Sequence, residues 1–319
     1  VTSPAHLLKC ALAAVVLSVA SPLWADPIGY SVNSRGVDQV DQRVNALWRV
    51  NLSNGEAEYI GWTSFVDLEA LAFSPENVLY GADDDTNTLV RVSRVTGLAQ
   101  PIGGAGNRFN TGLTPLSRKL DFGMSFTCEG ELYVVSDVER SLFRANLESG
   151  ALSQIGASGA LAAPITDIAV RGSEVFGIGV GLTAQGLSAA PNLYRLDLQT
   201  PSAELIGPLG PAAAPYNNAG LSFDGEGNLW AITDRRAVAG QDLPSQVLRI
   251  DTESGLATLV SESIIGLESL AIAPPVQCGQ EADPPGAGYP IPVMSRPGQA
   301  AFVLMMLALG ALGLHRRLA

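Results

Sequence analysis

Acidic and amide side chains recur at one place in this sequence, just before or at the start of short apolar runs. Asp67 and Glu69 flank Leu68, Asp121 precedes Phe122, and Asp167 follows Thr166. Asn217 and Asn218 precede Ala219, and Glu268 precedes Ser269. Oxygen ligands gathered from several segments suit a hard cation such as Ca²⁺, because assembled carboxylates repel one another without one. Glu69, Asp121, Asp167, Asn218 and Glu268 are the candidate metal ligands. A plainer reading stands beside this one: each side chain caps its own loop by accepting backbone N–H bonds, or is solvated. As a third possibility, Glu69, Asp121, Asp167 and Glu268 could serve a hydrolase as acid/base pair or Ca²⁺ ligands, depending on their separation.

The run Asp83-Asp84-Asp85-Thr86-Asn87 lacks the spaced Asp pattern, central Gly and terminal Glu of an EF-hand loop. A hairpin turn held by Asx hydrogen bonds is expected there, and Asp137 and Asp234 recur at the equivalent strand end. The two histidines are His6 and His315, so the long stretch between them has none. That excludes a histidine general base, a Ser-His or Cys-His pair, and His-ligated zinc or iron from that stretch. The formal net charge is -12. With no basic stripe and no aromatic–basic interleaving, nucleic-acid binding is set aside.

The elements that must hold these residues come from a repeat. Asn192-Leu193-Tyr194-Arg195-Leu196-Asp197 has close versions at Ala46–Asn51, Thr88–Val92, Ser141–Asn146 and Val247–Asp251. Four of the five lead into a turn (Asn54-Gly55, Thr96-Gly97, Ser149-Gly150, Ser254-Gly255), and three of the following strands end in Ile-Gly, at Ile60, Ile155 and Ile206. Gly and Asp/Asn turns between short apolar runs favour strands over helices. Self-similarity at a spacing of about 40–50 residues predicts an all-β chain, a β-propeller of about five four-stranded blades. The last unit has a first strand at Glu268–Ile272 and then runs out, while unclaimed strands stand at Ile28–Val32, Leu47–Asn51 and Ala57–Ile60. The closing blade is therefore expected to be shared by the two ends of the domain, which removes exposed sheet edges.

In this arrangement the first strand of each blade lines a central channel, and the acidic positions form a ring at one mouth. The segments Ser34–Gln42, Gly103–Arg118, Gly179–Pro191 and Arg235–Gln246 are expected as loops on the same face. Tyr80, Tyr133, Phe143, Tyr194 and Trp230 recur at fixed blade positions and are expected in the core, whereas Trp62, Phe109 and Tyr216 fall in loops and are the aromatic candidates for ligand contact.

The ends read as addresses. Lys9, the apolar run Cys10–Ala20 and the break Ser21-Pro22-Leu23-Trp24-Ala25 have the layout of a secretory signal over residues 1–25. The propeller is expected over 26–275, and a linker with the start of a sorting motif over 276–292. A hydrophobic segment over 293–319 carries His315-Arg316-Arg317 near its end and is expected to anchor in a membrane through an apolar helix. Ile291-Pro292, the spacer with Gly298, the apolar run from Ala300 to Leu314 and the Arg pair resemble the IPTL-CTERM sorting signals of Gram-negative bacteria, relatives of the PEP-CTERM tails, with Val293-Met294 in place of the usual Thr-Leu. That resemblance covers about thirty residues and implies export, an envelope sorting enzyme as partner, and removal or exchange of the tail at the cell envelope. Export makes a disulfide between Cys128 and Cys278 the natural expectation.

The function expected from these readings is a surface-exposed, non-catalytic propeller that binds a protein or extracellular polysaccharide through its loop face. A carboxylate- or Ca²⁺-dependent propeller hydrolase (phytase-, lactonase- or glycosidase-like) and a structural envelope or biofilm-matrix component are the alternatives.

Overall fold

The computed structural model describes residues 26–33, 44–104, 121–182 and 191–273. These lie in a compact unit, Val1–Gly279; the second unit, Gln280–Ala319, falls outside the described residues, as do the expected secretory signal, the sorting tail, Phe109 and Cys278.

Short strands form where apolar residues alternate between turns. β1 (Ile28–Val32), β2 (Ala46–Asn51) and β3 (Ala57–Trp62) open the chain. The next sheet is β4 (Leu68–Phe73), β5 (Leu79–Asp83), β6 (Thr88–Val92) and β7 (Ala99–Pro101). Then come β8 (Phe122–Phe126), β9 (Leu132–Ser136), β10 (Ser141–Ala145) and β11 (Leu152–Ile155). The following sheet is β12 (Ile165–Arg171), β13 (Glu174–Gly179), β14 (Asn192–Asp197) and β15 (Ser202–Pro208). The last is β16 (Asn218–Phe223), β17 (Leu229–Val238), β18 (Gln241–Ile250) and β19 (Ala257–Ile265), and β20 (Ala271–Ala273) ends the described chain.

The strands make five antiparallel four-stranded sheets. Their first strands, β4, β8, β12, β16 and β20, touch one another in that order, and β20 returns to β4. The ring closes, which makes the chain a five-bladed β-propeller. In the fifth blade β20 pairs with β1, Ile28 opposite Ala273 and Tyr30 opposite Ala271, so the N-terminal strands complete the blade that the C-terminal strand begins. This is the closure expected from the sequence.

A small sheet cannot bury both of its faces alone, so each must pack on its neighbours. Five apolar clusters do so, one at each junction between blades. Tyr80, Phe122, Met124 and Phe143 fill one; Trp230, Val247 and Leu270 fill another. The recurring aromatics Tyr80, Tyr133, Phe143 and Trp230 are buried as expected, and Tyr194 packs against a cluster.

The two repeated signatures prove to be two sides of one contact. In the turns, an Asx side chain accepts from the backbone two and three residues on, as Asn146 does from Glu148 and Ser149, both at 2.9 Å. Gly97 closes its turn at φ 78°, a left-handed conformation that favours glycine. The Ile-Gly strand end of one blade lies directly on the turn of the next, Gly61 against Thr96-Gly97 and Gly207 against Ser254-Gly255, so close that a Cβ at Gly61 or Gly207 would collide with backbone.

One expected loop is not a loop. Arg235–Gln246 belongs to β17 and β18, which, with β19, run on past the end of their blade as a three-stranded arm. Bulges at Arg235 and between Pro244 and Gln246 let these strands twist away from the regular ladder.

Candidate functional site

The N-terminal ends of the first strands and the ends of the second strands meet at one mouth of the channel. There Asp67, Glu69 and Asp84 bring one carboxylate oxygen each to within 4.8 Å of one another, and all three residues are buried. Local structure explains each placement. Glu69 is the extra residue of a β-bulge, since Leu68 pairs with Asp83 and Ala70 with Ala82, and such a bulge re-aims a side chain. Asp83 ties the following turn by accepting from Asp67 N (3.1 Å), Thr86 N (2.8 Å) and Thr86 Oγ1 (2.5 Å). With Asp83 so engaged, the adjoining Asp84 is the carboxylate that joins the cluster, its N–H donating to Asp67 O at 2.8 Å.

Burial pushes the Glu69 carboxyl well above the usual range, and the charges of Asp121, Asp67, Asp84 and Glu268 add to the effect. Asp137 is pushed up to about 8 by burial and by Asp121 and Asp84, against an opposing bond from Val138 N–H. Its Oδ1 is buried without a hydrogen-bond partner. Three blades therefore contribute acids here: Asp67, Glu69 and Asp84 from the β4 blade, Asp121 and Asp137 from the β8 blade, and Glu268 from the closing blade.

The far side of the mouth carries its own cation. Arg236, on the projecting part of β17, reaches Asp234 Oδ2 at 2.8 Å and Glu268 Oε2 at 2.9 Å. Its Nε also donates to both Asp234 oxygens, at 3.0 and 2.9 Å. Burial works against the guanidinium charge, but Glu268, Asp234 and Asp67 outweigh it and hold the group charged.

The five residues expected as metal ligands are thus distributed among different tasks. Glu69 belongs to the tight trio, and Asp121 stands close enough to raise its proton affinity. Glu268 is engaged by Arg236. Asn218 Oδ1 accepts from Ala219 N at 2.8 Å and lies at the start of β16. Asp167 sits between three inner strands: Oδ1 accepts from Met124 N and Ile168 N, both at 2.8 Å, and Oδ2 from Leu221 N at 2.6 Å. This carboxylate ties the β8, β12 and β16 blades together around the axis. Burial raises its proton affinity, and the three N–H bonds oppose that.

Asp84, Asp137 and Arg236 belong to the site although the sequence reading did not select them. The sequence carries a signal for the first two, because Asp84, Asp137 and Asp234 occupy the same register after the second strand, a position that reads equally well as a turn. Among the aromatic candidates, Trp62 ends β3 on this face and is 45% exposed. Tyr216 is instead fully buried, its hydroxyl donating to Gly179 O at 2.5 Å, so it is a core residue.

Chemically, the trio offers a compact set of hard oxygen donors suited to a Ca²⁺-like ion. Among the described residues it is the only His/Cys/Asp/Glu group with metal-holding geometry.

The class that fold and mouth define is a five-bladed propeller with an acidic channel entrance. No family model matches the chain, and no curated protein matches it. Among solved structures, a chain from the crystal structure of a nidogen/laminin complex is similar over 79% of this chain and 99% of that one, at 13% identity and a TM-score of 0.45. So weak a likeness decides nothing about function, and the architecture rests on the strand pairings themselves.

Proposed function

We propose that this protein is an exported, non-catalytic propeller of the cell envelope that binds a protein or extracellular polysaccharide at its acidic face, with Ca²⁺ held by Asp67, Glu69 and Asp84. The observation that supports it best is the close set of oxygen donors at the mouth. Asp67, Glu69 and Asp84 are buried and bring one carboxylate oxygen each to within 4.8 Å of one another. A bound cation would offset the mutual repulsion of these three carboxylates, and Trp62 on the same face offers a partly exposed ring for stacking on a sugar or a partner side chain. The secretory signal, the IPTL-CTERM-like tail and the Cys128–Cys278 disulfide supply the exported setting of this reading.

The test is a glycan array and an envelope-protein pull-down with the purified protein, each run in Ca²⁺ and in EGTA. Ca²⁺-dependent retention of a ligand that weakens in Trp62→Ala is the expected result. No ligand above background in either condition would count against binding as the function.

A second reading is favoured by one observation. Burial beside Asp121, Asp67 and Asp84 pushes the Glu69 carboxyl well above the usual range, and a carboxyl of raised proton affinity next to other acids is the arrangement of a glycosidase-type acid and its partner. Assays with model glycosides, esters and phytate, with and without Ca²⁺, separate the two readings: turnover abolished by Glu69→Gln would make the protein a hydrolase.

A further inference from the structure

The closing blade packs on the β16 blade, and the turn between β2 and β3 is part of that contact. Ser263 Oγ donates to Gly55 O at 2.8 Å, and Ser261 Oγ to Leu52 O at 3.1 Å. Gly55 lies so close to β19 that a Cβ there would collide with Glu262 O, and its φ of 79° favours glycine.

This turn differs from its counterparts in one side chain. In the other three turns that end in glycine, a hydroxyl stands before the glycine and accepts from the backbone N–H two residues on. Thr96 accepts from Leu98 N at 3.4 Å, Ser149 from Ala151 N at 3.3 Å and Ser254 from Leu256 N at 3.3 Å. In the closing blade the exposed Asn54 fills that slot. Its Oδ1 accepts from Glu56 N at 2.9 Å, and its Nδ2 donates to Glu56 Oε2 at 3.1 Å. Asn54-Gly55 is the only Asn-Gly step in the sequence.

We infer that Asn54 is a site of spontaneous deamidation, and that its conversion loosens the closure of the ring. A carboxamide bonded to the N–H two residues on has its carbon beside the intervening nitrogen, here Gly55 N, and glycine has no side chain to shield that nitrogen. The Glu56 N–H polarises the carbonyl and would stabilise the oxyanion formed on attack. Gly55 N gives up its proton and bonds to Asn54 Cγ. The Cγ–Nδ2 bond breaks, the nitrogen leaves with that proton as ammonia, and a five-membered succinimide remains. Water then opens the ring at either carbonyl. Opening at the main-chain carbonyl leaves isoaspartate, in which the chain runs through Cβ and Cγ and is one carbon longer.

In the closed turn Gly55 N donates to Asn51 O at 2.8 Å. Attack requires that bond to open, which an exposed turn does by local fluctuation without global unfolding. Either product places a new carboxylate beside Glu56. Isoaspartate also lengthens the chain where Gly55 fits against Glu262 O with no room for another atom. The hydroxyl-bearing turns of the other blades offer no such electrophile.

The test is prolonged incubation of the folded full chain at mildly alkaline pH, with the urea-unfolded chain beside it as a control for the chemistry. Peptides from both, labelled with isoaspartyl methyltransferase, should carry most of the isoaspartate at position 54. The aged protein should unfold several-fold faster than fresh protein at one urea concentration. Asn54→Ser, which copies the other turns, should gain no label at this position and keep its original unfolding rate through the same incubation. Absence of label at position 54 in the folded chain would overturn the proposal, whether or not the unfolded chain acquires it. So would a labelled chain whose unfolding rate has not changed, because ring closure would then not depend on this turn.

Discussion

The two sides of the acidic mouth are built from the same kind of strand end and arrange their acids differently. On one side Asp234 and Glu268 share Arg236, whose fork meets both carboxylates. On the other, Asp67, Glu69 and Asp84 crowd within 4.8 Å with Asp121 and Asp137 beside them, and the cost appears as raised proton affinity at Glu69 and Asp137. Two carboxylates that cannot both ionise must take up a proton or a cation. The difference comes from a single structural event, the extension of β17 past its blade, which carries Arg236 over the mouth.

The sharpest way to break this contrast is to remove the internal cation. Arg236→Ala leaves two buried carboxylates without their partner, and a loss of about 3–5 kcal/mol is expected, read from urea denaturation. A loss below about 1 kcal/mol would mean that these acids behave as a solvated surface pair, and the two sides would not differ.

The next effect is pH dependence without divalent cations. Glu69 and Asp137 hold their protons more tightly in the folded chain than an ordinary carboxyl near pH 4, with Asp137 at about 8. Between those limits the native state binds more protons than the unfolded one, so stability is full at the acidic end and falls as pH rises. A fall on the order of 2–3 kcal/mol between pH 5 and pH 8 is expected. Saturating Ca²⁺ should remove most of it, since binding to the folded chain restores stability by mass action. Stability that is flat over this range in EGTA would contradict raised proton affinity at Glu69 and Asp137.

The architecture was legible in the sequence because it is written in local, repeated terms. Alternating apolar runs, Asx-x-x-x-Gly turns and an incomplete last unit fix strand number and closure without any long-range detail. The mouth was legible only as far as register goes. Position before a first strand correctly places Glu69, Asp121 and Glu268 near one another, but it cannot say that Asp167 is taken up by three backbone amides. It also cannot foresee that Arg236 lies on an extended strand, because a run rich in Arg, Ala, Gly and Gln looks like a loop until its pairing with β18 is known. The Ile-Gly and Thr-Gly signatures were both visible, and their mutual contact was not, because it joins residues in different blades.

Smaller effects sharpen the comparison at the acidic trio. Glu69→Gln keeps the shape of the protonated side chain and removes its charge. Without divalent cations the variant should therefore lose less stability than the parent as pH rises, because the parent must ionise a carboxyl whose proton affinity burial and its neighbours raise. It should also lose the Ca²⁺-dependent gain, having given up one of three charged donors. Equal stability of variant and parent across the whole range would place Glu69 outside the charge balance of the mouth.

The smallest expected effect on folding falls outside the ring. Trp62 is 45% exposed at the end of β3, and Trp62→Ala should change stability by only about 1 kcal/mol. An exposed indole on the face that also carries the acidic mouth costs the protein little to lose in folding terms, so any large effect of the substitution must be an effect on what binds there. Isothermal titration of Trp62→Ala and Glu69→Gln with the ligand found by the array separates two roles. A Trp62 defect that persists at saturating Ca²⁺ assigns the ring to direct contact. A Glu69 defect confined to Ca²⁺ conditions assigns the carboxylates to holding the cation that orders the face. If both variants bind as the parent does, the binding surface lies away from this mouth, and the imbalance between its two sides is a feature of stability alone.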